Sequence, residues 1–318
     1  MCYLTLFGIQ MSLISSWEDL QDINTNATTL DGDYELATNL DLNSTGYSTY
    51  ASSSANSGEG WIPIGTETDP FTGTFDGQNH IISDVFIDRG GTNQGLFGYI
   101  SGASIEKLGV IDFDISGAIN IGTLVGRSVA SSVIDECYAS GGSVTATSWR
   151  VGGLVGYNYG SSNTKISNSY AEVTVEGGGS AGGLVGSNYW NAPSLEKCYS
   201  NGSVTGTGDY VGGLVGLNSS NNVDDCFWDT ETSGQETSGT EISPAGTGKT
   251  TSEMKDLDTF TDTATEGLDI AWDMVLEENY IDEYWYIDDG NDYPRFGWQR
   301  ETPVIGGKYP LPAFKIIS

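Results

Sequence analysis

Basic residues are scarce in this chain. Only 12 of its 318 residues are Lys or Arg, against 43 Asp or Glu, which gives a formal charge of -31. A field of that sign repels phosphate backbones and anionic lipid, so nucleic-acid binding is excluded. Histidine occurs once, as His80; no catalytic triad can be built around another histidine, and metal chemistry based on several imidazoles is excluded. The four cysteines, Cys2, Cys137, Cys198 and Cys226, form no CxxC pair, which removes zinc and redox motifs. No apolar run reaches ~18 residues, so no membrane-spanning helix is expected. Long helical periods are missing as well, and with 44 Gly and only 8 Pro the chain reads as many short strands joined by tight turns.

The acids are spread along the chain rather than massed in a tail, and aromatics make up 11% of it. That combination argues for a charge coat on a folded body rather than for disorder. A coat of this kind keeps a protein soluble in high salt and points to a saline or halophilic setting.

What the sequence does have is repetition. "VGGLVGYNYG" at Val151 returns as "AGGLVGSNYW" at Ala181 and "VGGLVGLNSS" at Val211. The closing glycines Gly98, Gly126, Gly156, Gly186 and Gly216 are separated by 28, 30, 30 and 30 residues. A fixed period of this length signals a stacked architecture. The intervening text repeats too, and places Cys137, Ser169, Cys198 and Cys226 in one column of small buried side chains. Coils of short strands stacked at ~4.8 Å bring such columns into register. Leu96, Leu124, Leu154, Leu184 and Leu214 are then expected to form one interior ladder, with the glycines turning the corners.

These "GGLVG" units resemble the GLUG motif, a short repeat of surface-associated and adhesin-like proteins of bacteria, archaea and their viruses. The resemblance extends through "WIPIGTETDPFTGTFDGQNHIISDVFI" upstream and "CFWDTETSG" and "YPRFGW" downstream, roughly Trp17 to Trp298. It implies an all-β, right-handed parallel β-helix (β-solenoid) with short helical caps. Gly122-Thr123-Leu124 departs from it by lacking the double glycine.

The expected organisation is a leader or arm over 1–16, the solenoid over 17–229, a loop and closing segment over 230–300, and a tail over 301–318. Met11 is a possible alternative start. "SSWEDLQDI" reads as a capping helix with Ser16 at its N-cap, and "TTSEMKDLDTF" as a second one behind Ser252. The Gly/Ser/Thr-rich stretch from Thr230 to Thr251 reads as a long loop.

Candidate sites are few. "SPAGTGKT" ends like a phosphate-binding loop, but Ser243 stands where its first glycine belongs, so Lys249 reads as part of an exposed linker. His80 reads as a turn residue. Asp224-Asp225, Asp288-Asp289 and Asp31/Asp33 are carboxylate pairs of the kind a glycan-cleaving β-helix employs, yet in so acidic a chain such pairs arise by chance. Asp288, Asp289, Asn291 and Asp292 offer oxygen ligands to a Ca²⁺ ion; no other cofactor is indicated. Sequons begin at Asn26, Asn43, Asn201 and Asn218. Trp149, Tyr157, Tyr159, Tyr189, Trp190 and Tyr210 fall near coil corners, where they stack on sugars, anchor a protein partner or pack loops.

The function expected from this reading is non-catalytic attachment: a surface-displayed β-solenoid that binds a host-cell glycan or glycoprotein, with homo-oligomers and other virion or surface subunits as partners. The missing export signal and anchor favour a virion tail or fibre of a virus with a saline host. A cell-surface adhesin and a glycan-degrading β-helix enzyme are the alternatives.

Overall fold

The computed structural model describes residues 11–160, 163–190, 193–239, 244–276 and 285–299. Cys2, Ser243 and the expected tail over 301–318 lie outside the described residues. The chain winds into a parallel β-solenoid. Eighteen of its strands join in one continuous sheet system, five stack as a second sheet, and three form a small sheet near the C-terminus. The five stacked strands are β1 (Phe97–Ser101), β2 (Val125–Val129), β3 (Val155–Tyr159), β4 (Val185–Tyr189) and β5 (Val215–Asn218). They pair in parallel with Phe97, Val125, Val155, Val185 and Val215 in one register line. One phrase of the repeat thus supplies one strand per coil.

Leu96, Leu124, Leu154, Leu184 and Leu214 are fully buried, and their backbones link coil to coil: Leu124 N–H donates to Leu154 O, Leu154 to Leu184 and Leu184 to Leu214. The cysteine column stacks beside them, with Cys198 N–H 3.4 Å from Cys226 Sγ and Cys137 N–H donating to Ser169 Oγ at 3.2 Å. These three cysteines are buried free thiols. Burial pushes the Cys137 and Cys226 thiols far above their ordinary range. A second interior column is polar. Asn158 Nδ2 donates to Asn188 Oδ1 at 2.9 Å, and Asn188 Nδ2 to Asn218 Oδ1 at 3.2 Å, so each buried amide donates to the next along the column.

The glycines have a different role from the one expected. None of the five closing glycines has a positive φ; the corners before the cysteine column are turned by Lys107, Glu136, Asn168, Lys197 and Asp225, all left-handed with φ between 44° and 53°. The glycines are needed for close approach instead. A Cβ at Gly186 would sit 2.6 Å from both Gly156 O and Val151 N, which are backbone atoms that cannot move aside. Gly186→Ala is therefore expected to cost about 1–3 kcal/mol through overpacking, read as a lower denaturant midpoint. At the departing unit Thr123 is tolerated because its hydroxyl turns toward the neighbouring coil and donates to Gly153 O at 2.6 Å.

Both ends are longer than expected. Ser12–Ile14, assigned above to a leader, forms a strand that pairs with Asp33–Leu36, so the ladder starts before residue 17. At the other end Thr247–Lys249 adds a strand to Phe227–Asp229, which carries the ladder past residue 229 into the expected loop. The capping helix Trp17–Asp22 forms as expected, with Ser16 Oγ accepting from Asp19 N–H and with Trp17 and Leu20 buried. "TTSEMKDLDTF" does not make one helix. It splits into a 3₁₀ turn, Glu253–Lys255, and a helix, Leu257–Thr261; Asp256, not Ser252, caps the latter through its side chain. An extended residue with a side-chain acceptor is what an N-cap requires, and Ser252 is already in the right-handed helical region.

The closing segment builds a second core. In each coil the residue after the cysteine column faces away from the leucines, giving an external stack of Tyr138, Tyr170 and Tyr199 with ring centroids 5.1 and 4.8 Å apart, nearly parallel, and then Phe227. Met254, Phe260, Leu268, Trp272, Trp285, Ile287 and Phe296 cover it. Arg295 fixes the cover by donating to Tyr170 Oη at 3.1 Å and to Glu172 Oε2 at 2.8 Å. Among the described residues no helix is long and apolar enough to cross a membrane.

Candidate functional site

Four of the six aromatic candidates come together along the five-stranded sheet. The residue after each closing glycine forms a column that faces away from the leucine core: Tyr99, Arg127, Tyr157, Ser187 and Leu217, in register. Two positions further on, Tyr159 and Tyr189 are paired in the same way. Tyr157 and Tyr159 rings lie 5.3 Å apart, Tyr159 and Trp190 stack at 6.3 Å with planes 21° apart, and Tyr189 touches Trp190 at 6.5 Å. The result is an aromatic strip running along the solenoid axis across several coils. Trp149 and Tyr210 are not part of it. They face each other edge to face at 6.1 Å, and Trp149 lies against Gly179, where it packs a corner.

Trp190 is the most accessible member at 52% exposure, and its backbone is left-handed with φ 74°. Bulky residues avoid that region, which costs of order 1–3 kcal/mol and persists only where the surroundings enforce it. Its N–H is held by Ser219 Oγ at 3.0 Å.

Two arginines that the sequence reading did not single out complete the strip. The Arg127 guanidinium lies 5.1, 5.4 and 5.5 Å from the ring centres of Tyr99, Tyr157 and Tyr159, and that of Arg150 lies 4.1 Å from Tyr157. Arg127 also pairs with Glu67 at 3.2 Å. Among the described residues the Arg150 side chain donates one hydrogen bond, to Asn120 Oδ1 at 3.4 Å, from a left-handed backbone with φ 61°. Burial lowers the Arg150 pKa and raises that of Tyr157. Arg127 was legible in principle, because aligning the repeats puts it between two tyrosines. Arg150 was not, because its approach to Tyr157 depends on how the corner folds back.

The remaining candidates fall into structural roles. Asp225 accepts the N–H groups of Asp269 and Ile270 at 2.6 and 3.1 Å, while its backbone oxygen accepts from Trp272 Nε1, so it ties down the closing segment. Asp224 is exposed, and desolvation followed by the neighbouring Asp225 raises its pKa. Asp31 and Asp33 accept from Thr72 and Thr74 hydroxyls. Asp288, Asn291 and Asp292 share a turn in which Asn291 Nδ2 donates to Asp288 Oδ1 and Tyr293 N–H to Asp292 Oδ1, while Asp289 Oδ1 accepts from Leu257 N–H. No cluster of three or more His, Cys, Asp or Glu suited to a metal ion occurs among the described residues. Lys249 is on a strand, largely buried, with its ammonium 5.8 Å from the Phe227 ring centre, so the exposed linker expected there is corrected. His80 Nδ1 meets Asn39 Oδ1 at 3.0 Å, and burial lowers its pKa. Of the sequons, Asn201 and Asn218 are buried and Asn26 caps a helical turn, whereas Asn43 is exposed.

Residues 147–176 and 177–205 match the GLUG motif family, so the chain carries GLUG repeats. It is 36% identical over 217 residues to halomucin of Haloquadratum walsbyi, an alignment spanning 64% of this chain and 2% of that protein. It is 32% identical over 150 residues to an immunoglobulin A1 protease of Streptococcus sanguinis, spanning 47% of this chain and 7% of that protein. The chain therefore matches only a small part of the length of these relatives. A crystal structure of a Bacteroides ovatus protein assigned as an immunoglobulin A1 protease superposes with a TM-score of 0.61 over 92% of this chain and 93% of that one, at 18% identity, a likeness of fold.

Proposed function

We propose that this chain is the non-catalytic attachment body of a protein displayed on the outside of a cell or virus particle in a saline habitat. The observation that carries the reading is the strip in which Tyr159, Tyr189 and Trp190 reach solvent over the buried ring of Tyr157, with Trp190 held half-exposed on a left-handed backbone. Aromatic faces that are rigid and partly solvated suit sugars and protein anchors, and a solenoid repeats them along one axis so that weak contacts add up. The GLUG repeats and the likeness to halomucin support surface display and high salt. Against catalysis stand the engaged carboxylates: Asp225 is spent on backbone N–H groups, and the acids of the 288–292 turn on the turn itself.

Multimerised protein is expected to bind cells of the host in high salt and to be displaced by soluble protein. Trp190→Ala together with Tyr159→Ala should reduce binding at least tenfold, and Asp224→Asn should leave it unchanged. Release of oligosaccharides that stops when a single Asp or Glu is replaced would overturn the reading in favour of an enzyme. Labelling with antibody under the electron microscope distinguishes display on virions from display on cells.

A further inference from the structure

Arg150 is an anomaly in a chain with 43 acids and 12 basic residues. It is half-buried, and no carboxylate pairs with it among the described residues. A second guanidinium, Arg127, stands over the same Tyr157 ring. Two like charges beside one buried ring repel each other, and Glu67, which is 67% exposed, neutralises only Arg127. The Nε atoms of both arginines and the Oγ of Ser187, which is in register with Tyr157, are buried without a hydrogen-bond partner among the described residues, so the terminal guanidinium nitrogens are the groups left to meet a ligand. Positive charge that only one exposed carboxylate answers thus gathers within the aromatic strip, between Tyr99 and Tyr159, on a protein that is otherwise strongly negative.

We propose that Arg127 and Arg150 form a recognition site for the anionic group, carboxylate or sulfate, of an acidic sugar whose ring lies along Tyr159 and Trp190. This deepens the attachment reading and rests on it. A guanidinium presents a planar fork of donors that matches a carboxylate or sulfate, and rings beneath it hold the fork in place. The global charge does not prevent this in a saline medium. The Debye length is ~3 Å at 1 M salt, so distant acids are screened while the direct contact at a partly buried pair survives. Glu67 then acts as an internal competitor that the ligand displaces from Arg127.

The experiment is calorimetric titration of the whole protein in molar NaCl with three oligosaccharides of equal length: an oligogalacturonate, a sulfated oligosaccharide and a neutral one. At least one anionic ligand is expected to bind tenfold or more tighter than the neutral one, and the tighter of the two identifies the group. Arg150→Gln should bring the anionic affinity down to the neutral level with the melting temperature monitored. Glu67→Gln, a change at an exposed side chain, should raise the anionic affinity a few fold and leave the neutral one unchanged. Trp190→Ala should weaken all three alike. Equal affinity for anionic and neutral sugars, or a folded Arg150→Gln protein that binds as before, overturns the inference. If either occurs while multimeric protein still attaches to cells, only the inference falls; if attachment itself is lost, the functional reading falls with it.

Discussion

Raising the pH above 10 is expected to unfold this protein steeply. Tyr138, Tyr170 and Tyr199 are buried under the closing segment, and burial raises all three phenols, Tyr138 to about 12 and the other two further. A group whose folded pKa is raised keeps its proton in the native state while the unfolded chain gives it up. Its stabilisation is complete below the ordinary tyrosine pKa near ~10 and is lost as the pH climbs toward the folded value. Three such groups make stability fall by about 4 kcal/mol per pH unit between roughly pH 10 and 12. Denaturant unfolding followed across this interval measures the slope. A flat profile would mean that the tyrosine stack is already open to water at neutral pH. Arg295→Ala should start the decline earlier, since its guanidinium donates to Tyr170 Oη and closes the cover.

Dilute buffer is expected to destabilise the fold as a whole. Glu59, Glu67, Glu172, Glu196 and Asp292 each lie between 2.6 and 3.7 Å from a cation. The formal charge of -31 leaves most of the coat uncompensated. Self-repulsion of such a coat opposes the compact state, and it is relieved as the Debye length falls from ~30 Å at 0.01 M to ~3 Å at 1 M. The melting temperature should rise with NaCl over this range, on the order of 5–10 °C if screening recovers several kcal/mol. A melting temperature that stays constant or falls with salt would show that the coat is not a high-salt adaptation.

The solenoid and its interior were legible in the repeat period. In a parallel stack, residues one period apart become spatial neighbours, so the columns of Leu154, Leu184 and Leu214 and of Cys198 and Cys226 could be read directly as contacts. The same rule would have exposed the Asn158, Asn188 and Asn218 ladder and the Tyr138, Tyr170 and Tyr199 stack, both of which repeat at the period. What lies on each face of a coil was harder, because the period does not say which side of the pleat is covered. That the tyrosine stack is covered could not be read from the period, since its cover arrives from far along the chain: Tyr199 Oη donates to Pro294 O, 95 residues away, and Arg295 to Tyr170, 125 residues away. Contacts of that separation leave no periodic trace. The same holds for Lys249, which joined the ladder when a stretch rich in Gly and Thr found an unpaired strand edge, and for Arg150, whose place over Tyr157 follows from a left-handed corner that an arginine gives no sign of adopting.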